Sequence, residues 1–159
     1  MPDAWLDIVA RLSLSLVVGA VIGLNRDLHG KQAGVRTNAL VSLGAALAVL
    51  VVMPPGQDDA HRIDALSRVI QGVLTGIGFL GAGVILRDPV KRHVTGLTTA
   101  AAVWLAALLG VASGAGAYFT VIVALILALV VIVFGGPFEA LFRRNKRSKS
   151  DPGTESSND

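Results

Sequence analysis

The sequence predicts an all-α integral membrane protein with five transmembrane helices, on two observations. Residues 12–24, 38–53, 69–86, 97–112 and 117–134 contain no Asp, Glu, Lys, Arg or His. The connections between them alternate between rich and poor in Lys and Arg. An unpaired backbone amide in hydrocarbon costs several kcal/mol, so each apolar block is expected as a helix of about the length that crosses a bilayer. With 159 residues, 53% of them hydrophobic, and a mean hydropathy of +0.66, the chain has room for five such helices and little else. The expected organisation is a transmembrane domain over residues 1–137, with helices at about 5–24, 38–53, 69–86, 97–112 and 117–134. A basic cytoplasmic tail, largely disordered, follows over residues 138–159.

The first helix follows a short polar lead carrying Asp3, Asp7 and Arg11 and ends in GLNRD. It lacks the small-residue cleavage site of a secretory signal, so it reads as a spanning helix, with Trp5 at its outer interface. Ser15, Gly19 and Gly23 repeat at four-residue spacing and suit a contact with the third helix. The third helix, VIQGVLTGIGFLGAGVIL, carries Gly72, Gly76 and Gly83 on one narrow face and Gly78 and Gly81 elsewhere. Small residues let helix backbones approach where the hydrophobic effect gives no drive, which places this helix at the centre. The fourth begins after Gly96 with Thr98 and Thr99, whose oxygens suit the free amides of a first turn. The fifth, AYFTVIVALILALVVIVF, has no glycine and reads as lipid-facing.

Charge sets the orientation. Of the fourteen Lys and Arg residues, eleven fall in the first loop, the third loop and the tail, leaving Arg11, Arg62 and Arg68 on the other side. The positive-inside rule then puts the N-terminus outside and the C-terminus in the cytoplasm. Aligning Gly34 with Gly96 pairs AGVRTNALVSLGAALA with TGLTTAAAVWLAALLG. That match raises a parallel repeat of two helical hairpins, related by an axis along the membrane normal.

Several chemistries find no support. Cysteine is absent, so disulfide and thiol redox roles are excluded. The basic residues are divided among loops and form no face for nucleic acid. No HExxH or GxSxG motif occurs, and no His lies within a span to activate Ser42 or Ser113, so the protein is not expected to be an enzyme. No cofactor and no metal site are expected. The acidic second loop, with Asp58, Asp59, His61 and Asp64, has no diagnostic ligand spacing. The richest candidate is the first loop, where Asn25, Arg26, Asp27, Gly34, Arg36, Thr37 and Asn38 crowd together. It reads either as a docking or ligand surface or as a connector whose arginines meet lipid phosphates. Gln71 and Thr75, four apart on the third helix, would either line a small polar cavity or bond between helices.

Three segments, GAVIGLNRDLHGKQAGVRTNALVSLGAAL, IQGVLTGIGFLGAGVILRD and VTGLTTAAAVWLAALLG, resemble the membrane domain of the MgtC/SapB family of bacterial inner-membrane proteins. The resemblance covers roughly residues 12–134. It implies a multi-pass protein of the bacterial inner membrane. Some members are linked to low magnesium, intracellular survival and regulation of other membrane proteins. It carries over Arg26, Gly34, Arg36 and Thr37 in the first loop, Gly76, Phe79, Gly81 and Gly83 in the third helix, and Gly96, Thr98 and Thr99 at the fourth, with Gly72 joining the packing set. This chain departs from the family pattern in having Asn25 where Glu usually precedes Arg26, and in a short basic tail where larger members append a cytoplasmic domain. The expected function is a regulatory or stress-adaptation factor acting on other membrane proteins, with the lipid bilayer as its medium and homo-oligomers within reach. The alternative is a cation (magnesium) channel or carrier.

Overall fold

The computed structural model describes residues 2–55, 62–87 and 94–149. Among these lie five helices, α1 (Pro2–Leu28), α2 (Val35–Val52), α3 (Arg62–Val84), α4 (Leu97–Gly114) and α5 (Tyr118–Lys149). All five contain a stretch long and apolar enough to cross a membrane. Between α3 and α4, β1 (Leu86–Arg87) pairs antiparallel with β2 (Val94–Thr95), a two-residue ribbon that hydrophobic patterning does not foretell. Most of the helices outrun the charge-free blocks because polar residues occupy their ends. Arg26 and Asp27 lie in the last turn of α1, and Asp64 in the first turn of α3. α5 likewise continues as helix through Pro137 to Lys149, into the segment expected as a disordered tail. The chain divides into two compact units, Met1–Leu125 and Ile126–Asp159.

In the first unit, α2 and α4 form the centre. The buried share of the spanning window is 56% for α4 and 39% for α2, against 28% for α1 and 11% for α3. Small residues at four-residue spacing make this possible. Gly19 and Gly23 of α1 meet the start of α2 at Val35, Asn38 and Ala39. Further along α2, Ser42 and Ala46 meet Gly110 and Gly114 of α4. A Cβ on Gly19 would sit 2.4 Å from the carbonyl oxygen of Asn38, and one on Gly110 would sit 2.1 Å from that of Ser42. The backbones are thus in direct contact, the packing that dispersion favours between helices in lipid.

This arrangement corrects the expectation that α3 is central and that α1 packs on it through Ser15, Gly19 and Gly23. Cβ atoms added to Gly72, Gly76, Gly78 or Gly83 would meet nothing within 4 Å, and Phe79 is 82% exposed. α3 docks instead through the larger residues Leu66, Ile70, Val73 and Ile77, which join Val103, Ala107 and Val111 of α4 and Val49 of α2. Gly81 is the exception, buried with its missing Cβ 3.6 Å from Ala100 Cβ. An apolar groove of about 350 Å³ opens between α2 and α3, lined in part by Gly44, Gly72, Gly76 and Leu80. Gly34 and Gly96, aligned by sequence, occupy the N-cap positions of α2 and α4, but only Gly96 is left-handed, at φ 93°.

Candidate functional site

The first loop is built by the end of α1. Lys31 N–H returns to the Arg26 carbonyl at 3.0 Å, and Gly30 N–H to that of Asp27 at 3.0 Å, while Gly30 itself takes φ 59°. The chain then passes through Ala33 at φ 56°, a conformation that non-glycine residues rarely adopt. Two side chains hold this turn. Asn38, fully buried one turn into α2, donates through Nδ2 to the carbonyls of Ala33 at 2.6 Å and Gly34 at 3.0 Å. Asp27 accepts the N–H of Val35 at 2.9 Å, so its carboxylate caps α2 from outside the helix.

The predicted loop residues therefore separate into supports and displayed groups. Asp27, Gly34 and Asn38 shape the turn. Asn25 is half-buried, and its carbonyl lies 2.7 Å from His29 Nδ1, which donates to it in the Nδ1–H tautomer. Lys31, Arg36 and Thr37 are exposed. Arg26, expected among the contact residues, is instead 4% exposed, and its Nη2 donates to the hydroxyl of Thr99 in the first turn of α4. Thr98 points to the exposed side while Thr99 is buried. Arg26 and Thr99 are thus brought together from two separate motifs, and Gly96 adjoins them at the N-cap of α4.

Other candidates lie apart. Gln71 and Thr75 are exposed, with the Thr75 hydroxyl donating to the Gln71 carbonyl at 2.8 Å. The groove beside them is lined by apolar residues and glycines, not by this pair. Asp58, Asp59 and His61 of the second loop, together with Asp88 and His93, lie outside the described residues. Ser113 donates to the Leu109 carbonyl at 2.7 Å. Among the described residues no three His, Cys, Asp or Glu side chains gather as a metal site would require.

A second polar cluster, at the opposite end of α1, is legible only in three dimensions. Arg11 pairs with Asp7 at 2.7 Å and donates through Nη1 to the Gly114 carbonyl at 2.9 Å. The Tyr118 hydroxyl donates to Asp7 at 2.6 Å. These bonds tie α1 to the turn between α4 and α5, where Gly116 at φ 78° passes against the guanidinium. The sequence signal was present in Asp7 and Arg11, an opposite-charge pair one turn apart at the head of an apolar helix.

Five spanning helices with buried polar ties and helix-on-helix glycine contacts define a multi-pass helical membrane protein. The model of the MgtC family matches residues 12–141, and the chain belongs to that family. It is 49% identical over 119 residues to protein SrpB of Synechococcus elongatus, covering 70% of this chain and 65% of SrpB. Protein MgtC of Salmonella typhimurium LT2 is 40% identical over 121 residues, covering 76% of this chain and 49% of the relative. YhiD of Escherichia coli K12, whose name carries a provisional magnesium-transporter label, is 36% identical over 130 residues, covering 79% and 59%. The chain thus spans about half to two thirds of the length of these curated relatives. No solved structure matches it.

Proposed function

We propose that this chain is a regulatory or stress-adaptation factor linked to low magnesium, which works by contacting other membrane proteins and not by catalysis. The observation that carries this reading is the rigid first loop. Asp27 and Asn38 fix the strained turn at Ala33, and Lys31, Arg36 and Thr37 are among the groups that face outward. A preorganised basic surface of this kind gives up little entropy on docking, which favours recognition of an acidic partner surface. The alternation of Lys and Arg along the sequence supports placing this loop and the C-terminus in the cytoplasm, with the chain in the bacterial inner membrane.

Arg36→Ala tests the reading in a strain whose own copy of the gene is deleted. With membrane abundance held at the wild-type level, the variant is expected to lose growth under magnesium limitation. Growth equal to wild type would reject the loop as the working surface.

A second reading, a cation channel or carrier for magnesium, is supported by the label that YhiD carries. Its weakness is physical: coupled carriers place ionisable groups near mid-membrane, whereas the buried faces of α2 and α4 hold no ionisable side chain. Magnesium flux into liposomes containing the purified protein, above that of protein-free vesicles, would favour transport over the regulatory reading.

A further inference from the structure

Two features of positive sign meet at the start of α4. The first turn of a helix presents N–H groups without intrahelical acceptors, together with the positive end of the helix dipole. α4 is 18 residues long, and its N-cap is Gly96, which has no side chain to cap it. The start of α2 shows the usual remedy, a carboxylate, in the Asp27 bond to Val35 N–H. At α4 the side chain that reaches the first turn is a cation. Arg26 is 4% exposed, donates through Nη2 to Thr99 in that first turn and, among the described residues, has no partner for its buried Nε. Among the described residues no carboxylate pairs with it, the ion pair present being Arg11 with Asp7. A buried guanidinium beside a helix N-terminus is stable only with compensating negative charge.

We propose that Arg26 and the first turn of α4 form a binding site for a phosphate group, carried by an acidic phospholipid or free as inorganic phosphate. The remaining guanidinium N–H groups match an oxyanion in planar, forked geometry. The Ala100 N–H is already committed to the Gly96 carbonyl at 2.8 Å, which leaves the preceding first-turn amides for the ligand. The Thr99 hydroxyl accepts from Arg26 and so keeps its own proton to donate. Depth agrees as well. Arg26 stands two residues before the end of the α1 span at Leu28, the level at which headgroup phosphates lie. Exposed Lys31 and Arg36 at the same end of the bundle draw anions toward it. This site stands apart from the regulatory reading, because binding is measured on purified protein with no partner present.

The test uses the full chain in a neutral detergent. It is titrated with sodium phosphate against sodium chloride at equal ionic strength, and with dihexanoyl-phosphatidylglycerol against dihexanoylglycerol. Thermal stability and affinity are both read, since a ligand bound only by the folded state raises its Tm. At least one phosphate probe is expected to bind and stabilise beyond its control. Response to the lipid alone assigns a headgroup, and response to both probes admits free phosphate. Arg26→Gln is expected to weaken binding at least tenfold, Arg26→Lys less, and Arg36→Ala no more than about threefold. Should Arg26→Gln fail to fold, Thr99→Val carries the same test with the guanidinium retained, and a several-fold loss is expected. The proposal is overturned if neither probe exceeds its control, or if the Arg26 and Thr99 variants bind as wild type does. It is equally overturned if binding emerges only in Asp88→Asn, because a carboxylate of the chain itself would then hold the place.

Discussion

Gly110 of α4 lies flat against the backbone of Ser42 in α2, so close that a Cβ would fall 2.1 Å from the Ser42 carbonyl oxygen and 2.8 Å from its carbon. The contact joins the two most buried helices, and its counterpart on α3 is empty space. Gly110→Ala must push α2 and α4 apart and is expected to cost about 1–3 kcal/mol. Gly76→Ala meets no atom within 4 Å and is expected to change stability by less than about 1 kcal/mol, with the sign set by helix propensity. Unfolding both variants in detergent by the same denaturant separates them.

Asp27 caps α2 across the loop, and a Cβ on Gly34 would strike its carboxylate. Asp27→Ala is expected to lose about 0.5–2 kcal/mol, together with faster hydrogen exchange at the Val35 amide. Gly34→Ala should reproduce that exchange signature by displacing the carboxylate. Unaltered exchange in both variants would show that the cap contributes nothing.

Asn38 holds the carbonyls of Ala33 and Gly34 while fully buried. Asn38→Ala removes both bonds and is expected to cost about 1–3 kcal/mol. Because the turn they hold includes a left-handed alanine, Ala33→Gly is expected to recover part of that loss. The pair of variants, measured as a double-mutant cycle, checks it: purely additive losses would disconnect Asn38 from the strain at Ala33.

At the opposite end, Tyr118 and Arg11 both address Asp7. Asp7→Asn and Tyr118→Phe are expected to couple by about 0.5–1.5 kcal/mol, the worth of a hydrogen bond to a charged group discounted for its partial exposure. Additivity within about 0.3 kcal/mol would show that the bond is not stabilising.

The existence and order of the five helices were legible because hydrocarbon compatibility is written in composition, one segment at a time. The choice of central helix was not. Glycine count pointed to α3, yet alanine and serine serve close packing equally well. Ala102, Ala106 and Gly110 on α4, with Asn38, Ser42 and Ala46 on α2, form the four-spaced ridges that meet. α3 has the glycines but presents Leu66, Ile70, Val73 and Ile77 to its neighbours. At the loop, Asp27, Gly34 and Arg36 stood out by residue type. That Arg26 turns inward to Thr99 depends on how α1 and α4 approach, a relation between positions 73 residues apart that local pattern does not encode. The Asp7, Arg11 and Tyr118 cluster escaped for the same reason.

The one-sided attachment of α3 also bears on how the protein meets membranes of different composition. α1 and α4 lock onto α2 backbone to backbone, whereas α3 holds on mainly by the side chains of one face and turns Phe79 and Leu80 outward. When the hydrocarbon layer thickens or thins, a helix bundle accommodates the mismatch by tilting the member with the weakest lateral hold. Among α1 to α4 that member is α3, and its tilt would widen or close the seam beside Gly44, making acyl-chain length a mechanical input to the fold.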